Sequence, residues 1–378
     1  MKILCALNSF KGTFSSKSAN KSCFAALKKI FPEAEIKSLA VSDGGDGFLD
    51  CFRNLKGAKK VKIYVCGPLP KTKVRAEYVI CKKEAFIEIA EACGIKYLKN
   101  KKLEPLTATT YGVGEIIKDA VNRKADKIYL GLGGTASSDG GFGMAKALGF
   151  KFLDKKGKEI ENSVKGLLKL KKIKPPENIF FKKNKFFAVT DVKNPLLGKY
   201  GTANVYSPQK GANKYQVKII EKAMRKMALR FEKDLGKKAG KIKGGGAAGG
   251  LGAGLYAFLD AQIKNGASFV SEKIKIGEII SQCDAVFTGE GIWDKTDFYG
   301  KMPYHLCQIA RKNKKKSFCV CFENKTGRNY PFDRVIEIKN KFGKDFSLKN
   351  PFFALKKTVE SERENIKQKL VKNSKISS

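Results

Sequence analysis

The chain of 378 residues is long enough for two packed domains, and its apolar fraction of 42% argues against a disordered protein. No run of about 18 apolar residues occurs, so the sequence excludes a membrane-spanning helix. Ten cysteines are scattered without the spacing of a metal site, which predicts buried, reduced thiols in a cytoplasmic protein.

The net charge has two interpretations. The 76 basic and 36 acidic residues give a formal net charge of +40, which is typical of nucleic-acid-binding proteins. A general bias toward lysine gives the same charge. The lysines occur along the whole chain, and aromatic residues that would stack on bases are not interleaved with them. We therefore expect no specific nucleic-acid partner, no membrane partner, and a field that attracts small anionic substrates.

The N-terminal segment alternates strands, glycine-containing loops and helices. Residues 3–7 form an apolar run that ends too early for a signal peptide and predicts a buried first strand. A helix is predicted from the capping residues Ser15 and Ser16 to about residue 30, and a second strand over residues 36–41. The loop of residues 42–47 follows this strand, and a further helix is predicted after the loop.

From about residue 61 the pattern changes to closely spaced strands. Strands predicted over residues 61–65, 74–80 and 85–90 have the spacing of hairpins, which indicates a mixed sheet. The later predicted elements are a helix at 111–122, a strand at 127–130, a helix at 140–148, a strand at 186–190, a helix at 217–233, strands at 283–288 and 317–322, and a polar helix at 356–371. Residues 162–185 carry little pattern and are predicted to cover the surface.

This order of elements is typical of an α/β protein. It predicts a discontinuous, doubly wound (Rossmann-like) domain with a parallel sheet, built from residues 1–62 and 268–378. A second, mixed α/β domain of residues 63–267 is inserted between these two segments.

Glycine-rich loops follow most of the predicted strands, and ligands of open α/β sheets bind where such loops gather. The loops are residues 9–13, 42–47, 131–141, 190–195 with 208–212, 244–254 and 288–301. Their glycines let backbone amides approach a phosphate, and helix N-termini add positive potential. The uncharged residues predicted to bind phosphate or substrate are Ser9, Gly12, Gly44, Gly45, Gly133, Gly134 and Thr135.

Charged side chains in the same loops supply the remaining chemistry. Lys11, Lys210 and Lys301 can neutralise a phosphate or a carboxylate, and loop carboxylates can hold Mg²⁺ or accept a hydroxyl proton. These carboxylates are Asp43, Asp46, Asp139, Asp191, Glu290 and Asp294. The only histidine, His305, is expected to be structural. This inventory fits phosphoryl transfer better than acyl transfer or hydrolysis.

Structural roles are the alternative for several of these residues. Asp139 and Asp294 can be helix N-caps, and Lys210 and Lys301 can be surface charges. The glycine run of residues 244–254 can serve close helix packing instead of ligand binding.

One glycine motif favours a different enzyme class. Gly131-x-Gly133-x-x-Ala136 follows a predicted strand and precedes a predicted helix, as in dinucleotide-binding proteins, so an NAD-type oxidoreductase is an alternative. The loop continues into Ser137, Ser138 and Asp139, which a pyrophosphate turn does not need. The Walker A pattern is absent, which excludes a P-loop kinase.

Several motifs occur in the order and spacing of one known family. They are SFKG (9–12), VSDGG (41–45), TTYGVG (109–114), GLGGTASSDGGFGM (131–144), DVKNPLLG (191–198), PQKGA (208–212), AAGGLGAG (247–254) and TGEG (288–291), and they cover about residues 1–303. Together they resemble the bacterial type 1 glycerate kinase family. The resemblance implies an enzyme dependent on ATP and Mg²⁺ that converts glycerate to 2-phosphoglycerate, with 3-phosphoglycerate as an alternative product. It also implies two α/β domains with the active-site cleft between them.

The chain departs from the family pattern at a few positions. Asn8 stands where the family usually has aspartate, Ile292 replaces an arginine, and Lys295 replaces a glutamine. The segment Phe322-Glu323-Asn324 replaces a small turn that contains glycine. These differences bear on the substrate and leave the expected fold unchanged, so a divergent member with an altered substrate or a basic nucleic-acid-binding role is a further alternative.

The resemblance and the loop chemistry together predict catalytic roles for Lys11, Asp43 and Asp191. Loop amides and Lys11 are predicted to hold phosphate oxygens, and Mg²⁺ bridges these oxygens with Asp43 or Asp191. One of the two aspartates is predicted to accept the proton of the substrate hydroxyl. Lys301 or Lys210 is predicted to pair with the carboxylate of the substrate.

Overall fold

The computed structural model describes residues 1–98, 103–327 and 330–371. The strands, in chain order, are β1 (Lys2–Leu7), β2 (Glu35–Ser38), β3 (Ala58–Cys66), β4 (Lys73–Cys81), β5 (Glu84–Glu88), β6 (Lys127–Gly131), β7 (Lys151–Leu153), β8 (Lys172–Lys174), β9 (Lys185–Thr190), β10 (Gln262–Asn265), β11 (Ala285–Trp293), β12 (Lys316–Asn324) and β13 (Arg334–Glu337). The α-helices are α1 (Ser16–Ile30), α2 (Ala90–Cys93), α3 (Tyr111–Asn122), α4 (Phe142–Ala147), α5 (Val164–Leu167), α6 (Thr202–Tyr206), α7 (Lys214–Leu235), α8 (Ala247–Leu259), α9 (Gly266–Lys273), α10 (Ile276–Ser281), α11 (Met302–Lys312), α12 (Lys339–Lys349), α13 (Pro351–Ser361) and α14 (Arg363–Val371).

The chain folds into two compact units, which are described separately below. Unit 1 consists of residues 1–51 and 265–378, of which 328–329 and 372–378 lie outside the described residues. Unit 2 consists of residues 52–264, with 99–102 outside the described residues. The sequence placed the boundaries at 62/63 and 267/268. Unit 2 begins earlier because the ring of Phe52 stacks on Phe86 of β5 with a centroid distance of 4.0 Å.

Unit 1 contains a parallel sheet made from both ends of the chain. Its strand order in the described residues is β13-β12-β11-β1-β2, and each of these pairings is parallel. Along β12, Phe318 and Val320 pack with α1 and α13, whereas Cys319 and Cys321 pack with Trp293 and α11. Both faces of this sheet are therefore covered, which explains why β1 and β12 contain continuous apolar runs.

Unit 2 contains the mixed sheet that the hairpin spacing predicts. The strand order is β10-β9-β6-β5-β4-β3, with β3, β4 and β5 antiparallel and β5, β6 and β9 parallel. A separate antiparallel pair joins β7 and β8. The predicted α/β class, with one discontinuous parallel sheet and one mixed sheet, is confirmed.

Some sequence-based elements were wrong. The helix predicted after residue 47 is only a 3-10 turn at Leu49–Cys51, because Gly47 has a φ of 80° and few residues remain before β3. Residues 162–185 do not merely cover the surface: Ser163 caps α5, and Leu167 and Ile173 are buried in the core of unit 2. The long spacing between these apolar residues, with lysines among them, concealed the pattern. The predicted C-terminal helix is divided into α13 and α14.

In the part of the chain that the structure describes, no helix combines the length and the apolar character that crossing a membrane requires.

Candidate active site

In unit 1 the predicted residues gather at the carboxyl edge of the parallel sheet. Ser9, Lys11 and Gly12 follow β1, and Asp43, Gly44 and Gly45 follow β2. Glu290 lies near the end of β11, and Asp294 and Lys301 lie in the segment between β11 and α11. This placement is the one that the rule for ligand sites of open α/β sheets predicts.

Asp43 is buried and held by hydrogen bonds from two other elements. The side-chain amide of Asn8 donates to Asp43 Oδ2 over 2.6 Å, and the backbone amide of Met302 at the start of α11 donates to Asp43 Oδ1 over 2.6 Å. Asn8 Oδ1 in turn accepts from the amide of Ser9 over 2.8 Å. Asn8, the departure from the family pattern, is thus the direct partner of a predicted catalytic carboxylate. An aspartate at position 8 would bring two carboxylates into contact instead.

The Asp43 loop also depends on a glycine that sequence reasoning missed. A Cβ atom on Gly266, the first residue of α9, would lie 1.6 Å from the backbone oxygen of Asp43. Only glycine lets the backbone approach this closely, so any other residue would displace the loop. No local pattern indicated this contact, because Gly266 is far from residue 43 along the chain.

A second cluster in unit 1 joins Lys301 to two carboxylates. The Lys301 ammonium lies 2.6 Å from Asp297 Oδ1 and 3.8 Å from Glu290 Oε2. Asp297 is fully buried and Glu290 is nearly so, whereas Lys301 keeps 23% of its side chain exposed. Sequence reasoning missed Asp297, although its spacing from Asp294 and Lys301 matches a capping box followed by an i,i+4 ion pair.

The charges in this cluster shift its pKa values in a consistent direction. Burial raises the pKa of Glu290 well above the usual carboxyl value, and the hydrogen bond with Asp297 and its charge raise it further. Burial alone would lower the pKa of Lys301, but the charges of Glu290 and Asp297 outweigh this effect and raise it. Glu290 Oε1 is buried and, among the described residues, finds no hydrogen-bond partner. The cluster therefore combines one partly exposed cation with two buried carboxyl groups, and the charged form of Glu290 is disfavoured.

Asp294 has the structural role that the sequence left open. It is the N-cap of a 3-10 helix at Lys295–Tyr299, and its Oδ1 accepts from the amide of Thr296 over 2.7 Å and from the Thr296 hydroxyl over 2.6 Å. Burial opposes the charged form, but these hydrogen bonds prevail and lower the pKa of Asp294. This 3-10 helix positions Asp297 and the following Lys301. Asp294 therefore supports the cluster of Glu290, Asp297 and Lys301 by fixing the backbone.

In unit 2, Asp139 ties together the starts of two helices. Its Oδ2 accepts from the amide and hydroxyl of Thr110, each over 2.9 Å, and from the amide of Gly143 over 3.1 Å. Its Oδ1 accepts from the amide of Gly141 over 3.2 Å. Burial raises the pKa of Asp139, and these hydrogen bonds oppose the rise. The geometry is that of a brace between α3 and α4.

Lys210 is buried rather than a surface charge, which corrects one of the alternatives. Its ammonium donates to the backbone oxygen of Ser137, in the loop that also carries Gly133, Gly134 and Thr135. The Thr135 hydroxyl lies 2.8 Å from that of Ser137. Burial lowers the pKa of Lys210 to about 8, although the charges of Cys93 and Asp139 oppose this shift.

This pKa predicts a pH-dependent stability. Between about pH 8 and pH 10.5 the unfolded chain retains a proton that folded Lys210 releases, so the free energy of unfolding rises with pH. Relative to Lys210→Met, we expect the wild type to gain up to about 3 kcal/mol over this interval. Denaturant unfolding at a series of pH values measures the difference. Lys214→Met, at an exposed lysine, is the control and should run parallel to the wild type; a parallel Lys210→Met curve would contradict the prediction.

The glycine run of residues 244–254 packs closely against the loop of residues 131–141. This is the structural role that the sequence left open as the alternative to ligand binding. Ala248, Gly249 and Gly250 have positive φ, so the regular part of α8 begins only after Gly250. A Cβ atom on Gly249 would lie 2.1 Å from the backbone oxygen of Ser137. The run is therefore needed to seat α8 against the loop that follows β6.

Asp191 follows β9 and is half-buried. Burial raises the pKa of Tyr206 to about 12, and the charge of Asp191 adds to this effect. The Tyr206 hydroxyl donates to Asn194 Oδ1 over 2.8 Å. Unit 2 thus has its own carboxylate at the end of a strand, in the DVKNP segment.

Residues 3–371 match the sequence profile of the Glycerate kinase family. The chain belongs to the glycerate kinase family. This match confirms the predicted family and enzyme class, a phosphotransferase, and it extends beyond residue 303, where the recognised motifs end. A kinase family implies an ATP-type phosphoryl donor.

Similar proteins come from several bacteria. The chain is 36% identical to a glycerate kinase of Halalkalibacterium halodurans over 82% of each chain, and 35% identical to the glycerate 2-kinase of Escherichia coli K12 over 82% of each chain. A crystal structure of a glycerate kinase 2 candidate from Salmonella typhimurium LT2 superposes with a TM-score of 0.79 and 30% identity. It covers 97% of this chain and 98% of that one.

The glycerate kinase fold also accounts for the dinucleotide-like motif. Helix α4 begins only at Phe142, six residues after Ala136, so Gly131-x-Gly133-x-x-Ala136 does not open a helix as the dinucleotide motif requires. The amide of Ala136 donates to the backbone oxygen of Cys93 over 2.8 Å. The loop is therefore tied to α2, and the sequence overstated its likeness to a pyrophosphate turn.

Proposed function

We propose that the chain transfers the γ-phosphoryl group of ATP to a hydroxyl of glycerate and releases ADP and 2-phosphoglycerate. Membership of the glycerate kinase family supports the acceptor, and the 35% identical Escherichia coli relative is named glycerate 2-kinase. 3-Phosphoglycerate is the alternative product.

The observation that carries this proposal is the group of charged side chains at the edge of the unit 1 sheet. Asp43, Glu290, Asp297 and Lys301 are ordered by several elements, and they combine proton acceptors with a cation. Phosphoryl transfer needs positioned charge of this kind more than a covalent nucleophile. The only histidine, His305, is half-buried on α11, and burial lowers its pKa; the proposal assigns it no part in the reaction.

The proposed reaction assigns one task to each kind of side chain. The substrate hydroxyl oxygen attacks the γ-phosphorus, the bond from phosphorus to the β,γ-bridging oxygen breaks, and the hydroxyl proton passes to Asp43 or Asp191. Lys11 holds phosphate oxygens, and Lys301 or Lys210 pairs with the substrate carboxylate. The loop amides near Gly44, Gly45, Gly133 and Gly134 are the proposed phosphate contacts.

The donor set fits Mg²⁺ bound mainly through phosphates. Among the described residues, no three His, Cys, Asp or Glu side chains are grouped so that they could hold a metal ion by themselves. Kinases hold Mg²⁺ through one or two protein carboxylates together with the substrate phosphates. Asp43 or Asp191 can provide the carboxylate. When bound, Mg²⁺ would neutralise charge on the transferred phosphoryl group.

Asn8→Asp distinguishes the two candidate Mg²⁺ ligands. If Asp43 is the ligand, the second carboxylate beside it should lower the Mg²⁺ concentration for half-maximal activity by about fivefold or more. An added unit charge about 4 Å from a cation is worth about 1 kcal/mol even at the dielectric constant of water. The measurement is activity against free Mg²⁺ at fixed ATP, with Asn20→Ser as a control for the loss of a buried asparagine amide. An unchanged Mg²⁺ requirement would favour Asp191.

The proposed function is tested by product formation. The purified chain, ATP and each enantiomer of glycerate are combined, and ADP release is followed by a coupled assay. Added enolase converts 2-phosphoglycerate directly, whereas 3-phosphoglycerate needs a mutase first, so the two products are distinguished. NAD⁺ with glycerate, and DNA retention at about 200 mM salt, test the oxidoreductase and nucleic-acid alternatives. Absence of ADP release with glycerate, while another small hydroxy acid is phosphorylated, would replace the proposed acceptor.

A further inference from the structure

An apolar cavity in unit 1 lies beside the loop that carries Lys11. Its volume is about 190 Å³, and its wall is formed mainly by Phe10, Phe14, Ile292, Phe322 and Leu348. Pockets for whole drug-sized ligands begin at roughly 300 Å³, so this cavity suits one ring system rather than an entire nucleotide. The described residues of unit 1 that line it come from the ends of β11 and β12, the loop after β1, the residue between β13 and α12, and α12 and α13.

The loop between Phe10 and Phe14 is a fixed turn. The amide of Phe10 donates to the backbone oxygen of Phe14 over 3.0 Å, and the amide of Phe14 donates to the backbone oxygen of Phe10 over 3.2 Å. Gly12 supplies the positive φ of 79° that the turn requires. The two phenyl rings lie 5.0 Å apart, and Lys11, which also lines the cavity, is exposed on the same turn. One short segment thus contributes two aromatic residues and a cation to the lining of the cavity.

This combination matches the chemistry of a nucleotide base with attached phosphates. Aromatic and aliphatic walls receive a flat heteroaromatic ring, and a nearby ammonium pairs with phosphate oxygens. The cavity lies at the carboxyl ends of parallel strands, where nucleotides bind in open α/β sheets. Ile292 stands where the family pattern has an arginine, and arginine also stacks on bases, so both residue types suit a flat ring at this wall.

We propose that this cavity holds the adenine ring of the ATP donor, with Leu348 and Ile292 as base-contacting residues and Lys11 directed toward the phosphates. The inference rests on the proposed function for the identity of the donor. It adds the location of the base, which the family membership and the catalytic carboxylates leave open.

The test fills the cavity from an exposed position. Leu348 is 46% exposed on α12, so Leu348→Trp can place its ring in the cavity without disturbing the core. Leu229→Trp is the matched control, because Leu229 is 48% exposed on α7 of unit 2 and does not line the cavity. Calorimetric titrations without glycerate use three probes in the presence of Mg²⁺: ADP, adenosine and inorganic tripolyphosphate.

We expect Leu348→Trp to weaken the binding of ADP and of adenosine by about tenfold or more, as for the loss of a base-stacking site. The affinity for tripolyphosphate should stay unchanged. Lys11→Ala should weaken the binding of ADP and of tripolyphosphate but not the binding of adenosine. Leu229→Trp should bind all three probes like the wild type.

Three results would overturn the proposal. The first is wild-type protein that binds neither ADP nor adenosine, and the second is Leu348→Trp with unchanged affinity for both. The third is an equal loss of tripolyphosphate affinity, which would place phosphates rather than the base in the cavity. Because glycerate is absent from the titrations, a chain that shows the expected pattern yet does not phosphorylate glycerate would reject the proposed acceptor and retain the adenine site.

Discussion

Asp43→Asn and Asp191→Asn are each expected to remove nearly all phosphoryl transfer, by about a thousandfold in kcat/KM. Each substitution keeps the size of the side chain but removes the negative charge that would accept a proton or bind Mg²⁺. At position 43 the asparagine oxygen can still accept from the amide of Met302, but its NH2 group would face the Asn8 amide that donates to Asp43 Oδ2. A comparison of unfolding is therefore needed to separate the loss of charge from a displaced loop. Initial rates at saturating ATP and varied glycerate measure the effect.

His305→Gln is the control for this pair, and it should keep most of the activity. The three variants should unfold at similar denaturant concentrations, which would show that lost activity is not lost structure. An inactive but folded His305 variant beside an active Asp191 variant would overturn the carboxylate mechanism.

Lys11→Ala is expected to lower kcat/KM by about a hundredfold, which corresponds to about 2.7 kcal/mol of transition-state stabilisation. The reason is the loss of a cation that holds phosphate oxygens as their charge is redistributed. Because Lys11 is exposed, its removal should change thermal unfolding little.

Lys17→Ala is the matched control, since Lys17 is an exposed lysine on α1 a few residues beyond the turn. It removes the same charge from the general field and should therefore leave kcat/KM close to the wild-type value. Turnover of Lys11→Ala near the wild-type rate would remove Lys11 from the phosphate site.

The sequence predicted the strands of unit 1 well because a parallel strand covered on both faces is a short, continuous apolar run. β1 is such a run, and Ile3 to Leu7 are all fully buried. β13 was missed, because its four residues Arg334–Glu337 carry charges at both ends and give no apolar run.

The candidate site was predictable as a set of loops but not as a set of contacts. The glycine and carboxylate pattern located Asp43, Glu290 and Lys301, and their catalytic roles stay predictions. Asp297 was missed because it resembled a surface residue of a polar turn, and only the fold reveals that it is buried against Lys301. The burial of Lys210 was equally invisible in a chain with so many lysines.

The position of β1 in the unit 1 sheet has a consequence for synthesis of the chain. β1 pairs with β2 on one side and with β11 on the other, and the register joins Ile3 to Ala285. The ribosome must therefore produce all of unit 2, residues 52–264, before the second partner of β1 exists. Unit 2 can complete its own sheet during this interval, since domains generally fold as units during translation. Of the described strands of unit 1, β1 therefore keeps one edge without its neighbouring strand throughout the synthesis of unit 2.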